Sequence, residues 1–239
     1  MATVNQPTGQ TPVVPAEKTS EERVVANAQE FWSKNSKAIG IAIAVIVLLV
    51  GGYFAYNSLY KGPQELKASE AMWKAEEYFR QDSAKLALNG DGVSNGFLKV
   101  ISKYGGTKTG NRANFYAGAC YLQLGDFNNA VKYLKEFSTD EKVAKMRAEG
   151  LLGDAYSELG KKEEAIDHYK KAGSTFPEDE VNAPEYLFRA AMLLSEAGKT
   201  QDAITILRQV KDKYPRSAMP SAQGGQDIDK YLGKLGYTK

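Results

Sequence analysis

The sequence predicts an all-α protein: an N-terminal transmembrane helix, then a solenoid of helical hairpins, then a C-terminal capping helix. Three observations carry this. Residues 38–60 contain no charged side chain. Beyond Lys61 no stretch alternates apolar and polar residues as a half-buried strand would. In the same region one pattern of small residue, tyrosine or leucine, glycine and alanine returns at nearly fixed spacing.

The charge-free run, Ala38 to Tyr60, would span about 34 Å as a helix, against a hydrocarbon core of about 30 Å. From Ile41 to Val50 every residue is aliphatic, and the Ile, Leu, Val and Phe side chains contribute about −3 to −7 kcal/mol to insertion. No small-x-small cleavage site follows before Lys61, so the segment reads as an uncleaved signal-anchor. Orientation stays open on charge. Lys18, Arg23, Lys34 and Lys37 on one side balance Lys61, Lys67, Lys74 and Arg80 on the other.

Ahead of the anchor, residues 1–18 read as a disordered tail, because Met1 to Pro15 holds three prolines and no charge. Residues 19–37 read as an amphipathic juxtamembrane helix. Thr19 and Glu22 have capping-box spacing, and Val24, Val25, Ala28, Phe31 and Trp32 share one face.

Past the anchor, Gly118, Tyr121, Gly125 and Ala130 correspond to Gly153, Tyr156, Gly160 and Ala165, and again to Ala191, Leu194, Gly198 and Ala203. A Gly or Ala at a helix crossing lets two backbones approach closely, and a bulky replacement would overpack. The pattern divides the region into helix pairs at 111–145, 146–183 and 184–217, with a divergent pair at 64–110. In that first pair Ala71, Trp73, Ala75 and Tyr78 mark the outgoing helix, and Phe97, Val100, Ile101 and Tyr104 the return helix. The Gly-rich stretch Asn89 to Gly96 reads as an insertion between the two. A stripe of Ile228, Tyr231, Leu232 and Leu235 predicts a capping helix within 223–236.

These residue types and spacings resemble the tetratricopeptide repeat (TPR), closing prolines at Pro177 and Pro215 included. Departures are Asn114 and Glu149 where that family often has Trp, and Ala191 and Leu194 for Gly and Tyr. The resemblance implies an inner groove lined by first-helix side chains: Arg112, Phe115 and Ala119; Arg147, Gly150 and Asp154; Glu185, Phe188 and Met192. Repeats that clamp a C-terminal carboxylate carry Lys and Asn where this chain has Phe115, Ala119, Gly150, Asp154, Phe188 and Met192, so no such clamp is expected. Phe188 and Met192 suit an apolar segment or a partner helix, or internal packing, since Phe and Met are so often buried.

The order of tail, single anchor and repeats is similar to the YfgM-type family of bacteria, ancillary subunits of the Sec translocon working beside periplasmic chaperones. That resemblance implies a single-pass inner-membrane protein with its N-terminus cytoplasmic and its repeats periplasmic. Its partners would be translocon subunits, chaperones or exported clients. A scaffold coordinating cell-wall synthesis or division has the same envelope location, and a cytoplasm-facing adaptor follows if the orientation is reversed.

Catalysis has no candidate residues, and an enzyme is not expected. One cysteine and one histidine exclude internal disulfides and Cys/His zinc sites. Cys120 reads as a buried packing residue, and His168, whose neighbours Asp167 and Tyr169 point away from it, as a surface histidine. Gly105 and Gly110 have phosphate-loop spacing, but Asn111 and Arg112 follow where Lys and Ser or Thr belong. Asn89, Asp91 and Asn95 hint at a calcium loop, yet Val93 takes a ligand position and no Glu closes it, so a polar turn is expected. A net charge of +2 gives no nucleic-acid surface. Neither a cofactor nor a small-molecule substrate is expected.

Overall fold

The computed structural model describes residues 19–216 and 227–237, so the expected tail at 1–18 lies outside the described residues. The chain divides into two compact units, one up to Ser58 and one from Leu59 onward.

In the first unit, helix α1 runs from Ser20 to Tyr56 without a break, joining the two segments expected at 19–37 and 38–60. Its polar residues do not interrupt it because they bond back along the helix. Ser33 Oγ donates to the Glu30 carbonyl and Asn35 Nδ2 to the Phe31 carbonyl. Its apolar residues are exposed, Ile41, Leu48 and Phe54 among them, and the helix is long and apolar enough to cross a membrane.

A π-helical turn, Asn57–Lys61, takes the last residues of the expected span. Its cause lies two residues on. Pro63 has no N–H to give the Leu59 carbonyl and its ring would strike that carbonyl, so the turn widens. Among the described residues the elements of the second unit are helices: α2 (Gly62–Arg80), α3 (Ala84–Asn89), α4 (Phe97–Tyr104), α5 (Lys108–Gln123), α6 (Phe127–Glu136), α7 (Lys142–Glu158), α8 (Lys162–Thr175), α9 (Asn182–Glu196), α10 (Thr200–Lys213) and α11 (Ile228–Lys234), with one isolated bridge between Gly90 and Asn95. Each of α5 to α10 packs on its sequence neighbour, and α5 also meets α7, the stacking of a helical-hairpin solenoid.

The hairpins α5–α6, α7–α8 and α9–α10 turn in the same way, and α11 ends likewise: Gly125, Gly160, Gly198 and Gly236 have φ between +70° and +77°. The next amide reaches back to a carbonyl five residues earlier: Asp126 to Tyr121, Lys161 to Tyr156, Lys199 to Leu194, Tyr237 to Leu232. This is the Schellman closure that glycine accommodates without steric cost. The first pair makes the same turn with an aspartate: Asp82 has φ 53°, and the Ser83 amide bonds to the Tyr78 carbonyl at 2.9 Å. The repeat pattern therefore continues upstream as Ala75, Tyr78, Asp82 and Ala87.

That turn corrects the reading of the first pair. The return helix begins at Ala84, and the Gly-rich stretch splits it into α3 and α4 instead of separating it from α2. The loop is held by Asp91, whose carboxylate accepts from the Val93 and Ser94 amides and the Tyr78 hydroxyl. These bonds, led by Ser94, bring the Asp91 carboxyl down to about 2. Trp73, on the outgoing helix of this pair, points outward; Phe97 and Tyr116, stacked at 5.2 Å, fill the core beside Phe79.

Small residues mark the crossings. A Cβ on Gly118 would stand 2.5 Å from Leu134 Cγ, and one on Gly153 2.5 Å from Tyr169 Cδ1. At the far end Ile228 and Leu232 of α11 are buried, with Tyr231 against Phe188 at 4.9 Å; residues 217–226 lie outside the described residues.

Gly153→Leu is expected to lower the stability of the purified chain by about 1–3 kcal/mol in thermal melts. Asp82→Gly is expected to raise it by about 0.5 kcal/mol, by removing a positive φ from a residue with a Cβ. A melt unmoved or lowered by Asp82→Gly would exclude strain at that turn.

Candidate functional site

A concavity of about 760 Å³ lies where α5 and α7 face each other. The structure brings three of the expected groove residues together here: Arg112 and Phe115 from α5 and Arg147 from α7. Phe115 and Phe137 form its apolar floor, rings 5.4 Å apart, with Val143 alongside. Arg112 is half exposed and reaches Glu76 of α2 at 3.1 Å.

Two clasps fix the walls. Asn111 donates through Nδ2 to the Ser138 carbonyl at 2.7 Å and accepts the Ser138 amide at 3.1 Å, binding the α6–α7 linker to α5. Glu65 of α2 caps α5, accepting the amides of Lys108 (2.7 Å) and Thr109 (2.8 Å) and the Thr109 hydroxyl. Burial pushes the Glu65 carboxyl up, but the bonds from Thr109 and Lys108 outweigh it and hold the group below its ordinary value. The α5 N-terminus, which follows Gly105, is thus filled by the protein's own carboxylate. A Cβ on Gly110 would collide with the Tyr104 carbonyl, so that glycine serves close packing.

The other expected groove residues lie elsewhere. Ala119 is buried. A Cβ on Gly150 would collide with the Tyr186 ring. Asp154 lines a separate depression of about 580 Å³ with Gln123, Ser157 and Glu158. There its Oδ1 accepts the Tyr169 hydroxyl at 2.6 Å and an Arg189 guanidinium N–H at 2.7 Å, while Arg189 Nε donates to Glu185 at 3.1 Å. Burial, then the bond to Asp154, raises the Tyr169 hydroxyl well above its ordinary value. For Arg189 the pairs with Glu185 and Asp154 overcome the opposing effect of burial and favour the charged form. Phe188 sits in the core under Tyr231, and Met192 packs against the same cluster.

His168 is not a surface residue. Its Nδ1 lies 2.7 Å from Glu149 Oε2, and its ring stacks on Tyr156 at 5.2 Å. Glu149, at a position where the related repeats often carry Trp, therefore holds α7 to α8 by a polar contact. That bond comes first among the causes that lower the Glu149 carboxyl below 4.5, against burial. Cys120 is fully buried and its thiol is pushed up to about 12 by desolvation, which leaves it unreactive. These polar groups are matched within the fold, and the concavity has an apolar floor with arginines at its rim.

Residues 29–149, just over half of the chain, match the tetratricopeptide repeat-like domain family, and residues 150–177 and 185–217 each match a tetratricopeptide repeat. None of the curated proteins matches the chain significantly.

The contribution of Glu149 to stability is present above pH 4.5 and lost as the pH falls through its lower folded value. Glu149→Gln is expected to cost about 1–2 kcal/mol at neutral pH and to flatten the acid limb of the stability curve. Equal slopes for the two proteins below pH 4.5 would remove the Glu149–His168 bond from the account.

Proposed function

The chain belongs to the tetratricopeptide repeat-like domain family, and from that premise we propose that it is a membrane-anchored protein-interaction module of the bacterial envelope, an ancillary factor at the Sec translocon. Repeats of this type are protein-interaction domains, typically without catalytic activity. In this reading α1 crosses the inner membrane with its N-terminus cytoplasmic, and the repeats stand in the periplasm. They receive or pass on exported chains and the chaperones that attend them.

The observation that carries the binding role is the groove of Arg112, Phe115 and Arg147. Its walls are fixed by Asn111 and Glu65 before any ligand arrives, so little ordering cost falls on binding. Tethering in the membrane adds effective concentration, and a weak contact suffices. The translocon assignment rests on the order of tail, anchor and repeats.

Photo-crosslinking probes at Phe115 and Arg147, in cells with the anchor intact, are expected to capture translocon subunits, periplasmic chaperones or exported precursors. Arg147→Glu, at an exposed position, is expected to lower adduct yield from Phe115 about 10-fold, or about 1.4 kcal/mol. Cell-wall synthases or division proteins in the adducts would establish the scaffold reading instead. A reporter fused to the C-terminus, active only outside the cytoplasm, checks the orientation.

A further inference from the structure

Helix α2 is apolar on two opposite faces. Inward, Ala68, Met72 and Ala75 are fully buried. Outward, Leu66 and Trp73, two turns apart, are 63% and 58% exposed, and Leu59 in the preceding π turn is 79% exposed. A solenoid helix with its partners on one side is expected to be polar on the other. Helix α8 obeys this, with Glu163, Glu164, Asp167, Lys170 and Lys171 outward. Beyond Arg80, the large exposed apolar residues among the described residues are Leu86, Val93, Leu124, Val143 and Val181, and no two share a helix. Among the described helices of the second unit, only α2 carries a line of them.

We propose that this outer face of α2 lies in the headgroup region of the bilayer; the proposal rests on reading α1 as a membrane span. Leu66 follows Tyr60, the last residue of the charge-free run, by six positions, and Trp73 by thirteen. Along the helix those are about 9 Å and 20 Å, while the headgroup zone reaches about 5–8 Å beyond the hydrocarbon. The bilayer is the apolar phase tethered nearest to this face along the chain, and α2 lying along its surface would bring both side chains into the headgroup zone. The composition fits an interfacial helix: leucine and tryptophan on one line, with Lys67, Glu70 and Lys74 along its flank at i, i+3 and i+7. Lys74 bonds to Glu77 at 2.9 Å and lies 5.4 Å from the centre of the Trp73 ring, the arrangement of a side chain whose stem covers apolar surface while its ammonium stays wet. The first hairpin, and with it the groove wall that Glu65 fixes, is then seated against the membrane surface.

Trp32 and Trp73 are the two tryptophans of the chain, one in each unit. The full-length Trp32→Phe protein, reconstituted in phosphatidylcholine–phosphatidylglycerol vesicles, leaves Trp73 as the sole indole. Its emission is expected to fall at least about twofold when brominated phosphatidylcholine replaces the ordinary lipid, with weak quenching by acrylamide. The Trp73→Phe protein reports from Trp32 on the anchor itself. If bromolipid quenches Trp32 while Trp73 stays unquenched and open to acrylamide, the docking proposal is overturned and the anchor stands. A Trp73 shielded from both quenchers, and exposed on dilution of the protein in lipid, assigns the face to a second copy of the chain and likewise overturns the proposal. Absence of bromolipid quenching at both positions overturns the membrane reading and the proposal with it.

Discussion

Every hairpin of the second unit depends on how closely its helices approach. Gly118 under Leu134, Gly153 under Tyr169 and Gly173 under Leu187 leave no room for a Cβ. Interhelical distance is set by these residues, and large side chains such as Leu134 and Tyr169 are buried because a neighbour is small. The same Schellman turn then returns the chain at the right angle each time. Given spacing and turn, stacking of successive pairs needs no separate instruction, since each pair leaves an apolar edge that the next one covers.

Polar contacts do a different job, tying one pair to its neighbour. Glu65 joins α2 to α5, Asn111 joins α5 to the linker ahead of α7, and Arg189 joins α9 to Asp154 of α7. Each spends a charged or amide group that an open groove would otherwise present to a ligand. What remains at the α5–α7 concavity is its aromatic floor and the exposed Arg147 at its rim, beside Arg112, which is itself paired with Glu76.

The helix pairs were legible because their determinants are local: a small residue, a tyrosine or leucine and a glycine at fixed offsets within one turn. The first pair was less so, since Asp82 takes the place of glycine and a residue tolerating positive φ without being glycine leaves no mark in a pattern search. The span of α1 was plain, while its end in a π turn depends on Pro63 clashing four residues back. That Arg112, Phe115 and Arg147 line one concavity followed from repeat position. The burial of Phe188 did not, because it depends on Tyr231 arriving from α11, more than forty residues later. The Glu149–His168 and Asp154–Tyr169 contacts are likewise between helices, and no local spacing announces them.

The Glu65 clasp also changes how the chain can vary. It joins α2 directly to residues 43 and 44 positions downstream, so α3, the Asp91 loop and α4 form a closed circuit whose ends are fastened independently of its contents. Extending such a circuit adds only about 0.6 kcal/mol of closure entropy for each doubling of a flexible loop. Added length at the exposed tip near Val93 would therefore cost little in closure and leave the repeats behind it in register, provided the Asp91 bonds to the Val93 and Ser94 amides are kept.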